Sequence, residues 1–482
     1  MKTHYATQFD KMTRMPVERL VLIMGLPTTI SMLVTTFYNL ADTYFVGKLG
    51  TSATGAIGIV FPLMSVIQAI GFMLGQGAGS NISRLLGARD HEKAGIFGSV
   101  SFFVCLSLSV FFMIVGIIFI EPLMVLLGSS DTILPYATTY GRFILMAVPA
   151  MMCSFVLNNM LRFEGRASLA MIGLILGGLL NVIGDWITIS LLGMGIEGVG
   201  LATMLSNYVS MSILLSMFLR GKTMTKLRIS WLRMLWKRPE DTSGDPEKLK
   251  TDADDTDGRS VASHPYLLSI ILIGLPSLAR QSMSAISTAI MNIFARPYGD
   301  AAIAAMSIVM RIAFMLFAVG LGIGQGFQPV CGFNYGAGKY DRVRRAAIFT
   351  WIFGTIVLTV FVGFGWMFAE DWIRLFRDDP KVLEIGLPAL RYQMMSLVIV
   401  PIGVVSNMLF QSIGKSGRAL FLSCLRNGIC YIPVLIATGS VLGLFGIQIA
   451  QPISDVLTAM ISLPFFLSFM KILKESATTA VN

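Results

Sequence analysis

Twelve apolar runs of about twenty residues follow one another along this chain, and that recurrence leaves few folds open. A backbone in hydrocarbon must satisfy its polar groups internally, so such runs cross a membrane as helices. The predicted spans are 18–46, 53–80, 95–119, 134–160, 167–190, 196–219, 266–292, 301–329, 345–369, 387–412, 417–440 and 445–470. Hydrophobic residues make up 55% of the chain and charged residues 13%. A soluble domain carries about 25% charged residues, so a water-dispersed fold is excluded. The expected fold is an all-α integral membrane protein with twelve transmembrane helices in two pseudo-symmetric six-helix bundles.

The net charge of +10 is unevenly placed. Counting Lys and Arg loop by loop gives 27 on the side of the N-terminus and 5 on the other, with the remainder inside spans. The positive-inside rule then predicts both termini in the cytoplasm of a multi-pass protein of the bacterial inner membrane. The basic balance reports topology, so nucleic acid is not an expected partner. The first ~17 residues are polar, and no cleaved leader is expected.

Chemistry-bearing residues are sparse. The five cysteines lie in or beside apolar runs without CxxC spacing, and the three histidines fall in predicted loops. No nucleophile–His–acid set and no metal cluster is legible, so neither an enzyme nor a cofactor is expected.

The domain reading is 1–219 for a first bundle, 220–265 for a cytoplasmic linker and 266–482 for a second bundle. The linker opens basic and turns acidic through PEDTSGDPEKLKTDADDTDGRS, with no apolar face to bury. Across it runs an internal repeat at a constant shift of 249 residues. Gly25-Leu26-Pro27 matches Gly274-Leu275-Pro276, Gly75-Gln76-Gly77 matches Gly324-Gln325-Gly326, and Arg142, Asn158 and Gly165 match Arg391, Asn407 and Gly414. Six spans per repeat give both halves one orientation, and parallel repeats of this kind place a substrate site between halves.

The repeat fails where the chemistry is sharpest. Asp42 faces Met291 in the alignment, and Asn181 and Asp185 face Cys430 and Val434, which confines the intramembrane acids to the first half. A charge at bilayer depth costs at least a few kcal/mol unless it meets a cavity or a partner. Counting rise per residue puts Asp42 roughly 36 Å and Asp185 roughly 27 Å along outward-running helices, with Thr203 roughly 10 Å below the outer surface. Tyr38 and Asp42 share one helix face, as do Asn181 and Asp185. The expected site is a cluster of oxygens from Asp42, Asn181, Asp185 and Thr203 that binds a proton or a sodium ion. The competing reading is a solvated acid at the outer interface. Tyr38, Pro27, Asn158, Asn207 and Met291 complete the expected neighbourhood. Arg280 and Arg311 lie deep in the second half, and their role is open between ion pairing and lining water.

YNLADTYFVGKLG at 38–50, the glycine-spaced pattern ending SRLLGARDHEKA at 83–94 and NVIGDW at 181–186 resemble the multidrug and toxic compound extrusion (MATE) family. The similarity extends over nearly the whole chain and points to the DinF-like, MepA-like bacterial branch. The resemblance implies an antiporter that exports organic cations and amphipathic drugs in exchange for protons or sodium by alternating access, functional as a monomer amid membrane lipid. It implies coupling at Asp42, Asn181, Asp185 and Thr203, with Pro27 as the bending point. A lipid-linked oligosaccharide flippase of the same superfamily is the alternative within transport, and a membrane-embedded enzyme the alternative outside it.

Overall fold

A computed structural model describes the main chain of residues 2–47, 51–239 and 264–479, and the side chains of residues 8–35, 37, 52–239 and 264–478. All regular structure among these residues is helical. In the first half α1 (Lys2–Arg14) precedes α2 (Val17–Gly47), α3 (Thr51–Gly87), α4 (His91–Ile118), the short α5 (Ile120–Leu126), α6 (Leu134–Phe163), α7 (Ala167–Trp186) and α8 (Gly195–Leu219). In the second half come α9 (Tyr266–Ala295), α10 (Asp300–Gly336), α11 (Tyr340–Met367), the short α12 (Ala369–Phe376), α13 (Pro380–Leu397), α14 (Val400–Ile413), α15 (Ser416–Cys424) and α16 (Tyr431–Thr479).

Among the described residues ten helical runs are long and apolar enough to cross a membrane, and α13 with α14, bent by 51°, makes one more. The run Ser416–Thr478 holds two of the predicted spans. Gly443 breaks it with a non-helical φ of 60°. Beyond the break the chain doubles back: Thr438 Oγ1 donates to the Gly446 carbonyl at 2.9 Å, and Ser454 Oγ to that of Arg426 at 2.7 Å. Residues 28 apart in a straight helix would lie roughly 42 Å apart, so the segment is a hairpin, and the described helices leave room for twelve crossings.

The chain falls into two compact units, Met1–Gln8 with Ile30–Gly274, and Phe9–Thr29 with Leu275–Asn482. The first turns of α2 therefore belong with the second unit and those of α9 with the first. The duplicated glycines explain the exchange. In the first unit a Cβ on Gly77 of α3 would overlap the Ile270 carbonyl and crowd Gly274 of α9. In the second unit a Cβ on Gly326 of α10 would overlap Gly25 of α2. Gly77 and Gly326 are repeat partners, as are Gly25 and Gly274, so one close glycine crossing is built twice with its strands exchanged. Small residues are what let membrane helices approach this closely.

Other repeat pairs share a conformation. Gly165 and Gly414 end their helices with φ of 79° and 90°, and Arg89 and Gly338 both take a left-handed turn at 65° and 69°. After the first of these turns Asp90 caps α4, accepting from the Lys93 amide at 3.0 Å. Asn158 Nδ2 donates to the Ala170 carbonyl at 2.8 Å, and Asn407 Nδ2 to that of Ala419 at 2.6 Å.

Part of the stretch read as linker, 220–239, is packed. Thr223, Met224 and Thr225 are buried, and Ile229–Met234 forms a 3₁₀ turn. The clasp is Glu164, a buried carboxylate after α6. It accepts the Met224 amide at 2.7 Å and the Thr225 amide at 2.9 Å, and the Thr225 hydroxyl also donates to it. Burial raises the Glu164 carboxyl above its ordinary value, against the opposing pull of these donors and of Arg166. The acidic stretch 240–263 lies outside the described residues.

Candidate functional site

The buried face of α7 runs Ala170, Gly173, Gly177, Asn181, Asp185, a helical spacing of small residues followed by two polar ones. Opposite stands α8. A Cβ on Gly173 would meet Leu214, one on Gly177 Ser210, and one on Gly184 Ala202. This close approach carries Asn181 to Thr203: Asn181 Nδ2 donates to Thr203 Oγ1 at 3.2 Å. Both are buried, and Asp185, one turn beyond Asn181, is fully so. The amide oxygen Oδ1 of Asn181 has no hydrogen-bond partner among the described residues. A buried acceptor left without a donor costs about 1–3 kcal/mol, which a bound cation would recover.

Around this core the polar groups are committed. Asn207 Nδ2 and Ser206 Oγ donate to the Thr203 carbonyl at 2.8 and 2.9 Å, and Thr188 Oγ1 to that of Gly184 at 2.9 Å. Below Asp185 the helix widens into one π turn, Ile187–Leu191. Such turns recur at functional positions because they re-aim side chains at the cost of one regular hydrogen bond.

The expected residues thus divide. Asn181 and Thr203 meet between α7 and α8, with Asp185 one turn along α7 from Asn181 and Asn207 one turn along α8 from Thr203. The main chain carrying Tyr38 and Asp42 is helical within α2, while their side chains lie outside the described residues. Asn158 does not join the cluster; it pins the start of α7 at Ala170, roughly 16 Å of helix from Asn181. The duplication of that bond at Asn407 marks it as scaffold. Met291 is fully buried in the second unit. Pro27 sits within α2, which continues through it, two residues before the unit boundary at Thr29.

One expectation is corrected. The intramembrane acids are not confined to the first half: Asp455, in the distal limb of α16, is buried in the second unit. Its Oδ1 accepts from Arg426 Nε at 2.8 Å and Gln451 Nε2 at 3.0 Å, and its Oδ2 from Ser396 Oγ at 2.8 Å and Gln393 Nε2 at 3.4 Å. Arg426 lies in a second π turn, Leu425–Ile429, and its guanidinium stacks 4.3 Å from the Phe317 ring centroid. The signal was present as two opposite charges in adjacent predicted spans, a combination that membrane burial favours as a pair.

Comparison with known proteins agrees with this architecture. Multidrug export protein MepA of Staphylococcus saprophyticus is 26% identical over 463 residues, 95% of each chain. Crystal structures of MATE in the straight and in the bent conformation superpose with TM-scores of 0.85 and 0.84 at 26% identity. The straight form covers 97% of this chain and 99% of that one, and the bent form 98% and 99%. The family description MatE matches residues 27–187 and again residues 276–436, two copies displaced by the 249 residues of the internal repeat. The chain is a multi-pass membrane protein of the MATE, or multidrug and toxic compound extrusion, family.

Proposed function

We propose that this protein exports amphipathic organic cations across the bacterial inner membrane in exchange for protons or sodium ions, with coupling at Asp185, Asn181, Thr203 and Asp42. The observation that carries the reading is the Asn181 amide oxygen, buried without a donor among the described residues, one turn from the buried Asp185 carboxylate. A proton on the carboxylate, or a sodium ion held by carboxylate, amide and hydroxyl oxygens, supplies the missing positive charge.

The exchange follows from the cost of charge at this depth. An ionised carboxylate inside the bundle favours a conformation that admits water or an organic cation. Neutralisation favours one that closes on it. A ligand shifts such an equilibrium only by its differential affinity for the two states, and the coupling ion has that difference built in. Pro27 removes one backbone hydrogen bond from α2 near where the chain passes between units, which makes it the natural bending point. With 27 of the loop cations on the terminal side, both termini face the cytoplasm.

The test is uptake of a fluorescent lipophilic cation by everted vesicles under proton and sodium gradients imposed separately. Uptake driven by at least one gradient, and lost on its collapse, is the expected result. Uptake indifferent to both would refute antiport.

A further inference from the structure

The stretch 220–239 after α8 is strapped to the first unit at three places. The Glu164 clasp holds Met224 and Thr225. On α4, Ser99 Oγ donates to the Lys226 carbonyl at 3.1 Å and accepts from the Arg228 amide at 3.0 Å. A Cβ on Gly95, one turn nearer the start of α4, would meet the Trp231 ring. At the start of α9 the Tyr266 and Leu267 amides donate to the Lys237 and Leu235 carbonyls at 3.1 and 3.2 Å. Ser99 lies roughly 12 Å of helix from His91, where α4 begins. The strap therefore runs beside α4 at the level where that helix turns apolar.

The outer side of the strap has two chemistries interleaved. Arg220, Lys222, Lys226, Arg228, Arg233 and Lys237 are exposed, and none of the six forms an ion pair among the described residues. No acidic residue falls between Glu197 and Glu240. Among these cations Ile229 and Trp236 are 69% and 72% exposed. Tryptophan beside basic residues is the composition of a membrane–water boundary, and clustered Lys and Arg there attract anionic headgroups. The acidic stretch 240–257 offers the opposite charge, but its one large apolar residue, Leu249, would leave Ile229 and Trp236 uncovered. We propose that the strap 220–237 is an interfacial element that binds anionic phospholipid headgroups through its cations, with Ile229 and Trp236 in the acyl boundary. It is unduplicated: the repeat partner of its first half is plain helix, since α16 runs on to Thr479. The count of 27 basic loop residues against 5 assigns it to the cytoplasmic leaflet. Nothing in the proposal depends on what the protein transports.

The test is fluorescence quenching in the reconstituted full chain, without any gradient, so a failed coupling assay leaves it untouched. Ile229→Cys carries a bimane label, and wild type treated alike gives the background from native cysteines. Vesicles are equimolar phosphatidylcholine and phosphatidylglycerol, with one lipid or the other brominated high on its acyl chains. Brominated phosphatidylglycerol should quench about twofold more than brominated phosphatidylcholine. The preference should shrink in high salt. It should vanish when Lys222, Lys226, Arg233 and Lys237 are all replaced by Gln. A label at Ile118→Cys, exposed at the far end of α4, should show no such preference. Equal quenching by the two lipids at residue 229, the same preference at residue 118, or no quenching at 229 overturns the proposal. None of these results depends on how the glutamine variant folds. Quenching that appears only after deletion of 240–260 would assign the surface to the acidic stretch and would overturn the proposal as well.

Discussion

Among the described residues each half holds one acid buried within a membrane-spanning helix, Asp185 and Asp455, and the two have different surroundings. Asp455 in the second half is neutralised on the spot by Arg426 and wrapped by Ser396, Gln393 and Gln451. Asp185 in the first half lies one turn from the Asn181 amide oxygen, which has no donor among the described residues. The first arrangement is closed by its own partners, and the second is the one we propose takes a cation. The surrounding scaffold is shared: the Asn158 and Asn407 pins, the Gly165 and Gly414 helix ends and the exchanged glycine crossings recur in register. The duplication thus retains what positions the helices, while the buried acids differ between the halves. An unduplicated charge is informative in either half, but only its partners tell structure from function.

Stability measurements break or sharpen this contrast. The largest expected effect is at the finished pair. Asp455→Ala strands Arg426 and should cost about 3–5 kcal/mol, whereas a double replacement by neutral residues of similar size should cost far less. Thermal unfolding in detergent checks both. If the single change were no worse than the double, the pair would not be a structural unit.

Glu164→Ala should come next, at about 2–4 kcal/mol, because two buried amides lose their acceptor. Its pH dependence has a definite sign. The folded carboxyl titrates above its ordinary value, so the stability it contributes is fully present below that value and declines as pH rises through the folded pKa. Glu164→Gln should lack this slope when melting is followed across the acid range.

Gly77→Ala and Gly326→Ala should each cost about 1–3 kcal/mol, since the new methyl meets backbone. Gly58→Ala, with open space around it, is the control and should be near neutral or better. The smallest effects belong to Asn158→Ala and Asn407→Ala, at about 1 kcal/mol each and of similar size in the two halves. Unequal losses would mean that one of the two asparagines does more than pin a helix.

Much of this molecule is legible in its sequence. Apolar length located the twelve crossings, and rise per residue brought Asn181 and Thr203 to one depth, where they bond. The repeat register also located the paired asparagines, although their role as scaffold appeared only with the Ala170 and Ala419 carbonyls. What escaped was decided by partners far along the chain. The neutralisation of Asp455 by Arg426 is a contact between the two limbs of a hairpin, which no local pattern displays. Thr223–Thr225 has no apolar pattern to announce its burial; the Glu164 carboxylate, some sixty residues away, holds it. The bend between α13 and α14 likewise left no mark in a hydropathy profile.

The central claim is that the unfinished acid site of the first half couples transport. Asp185→Asn, reconstituted in proteoliposomes, tests it most directly through gradient-driven accumulation of a lipophilic cation, with Asp42→Asn beside it. The account predicts a protein that inserts and melts like the wild type, binds the cation, and no longer accumulates it against a gradient. Accumulation by Asp185→Asn at the wild-type rate would contradict the account and move the coupling site elsewhere.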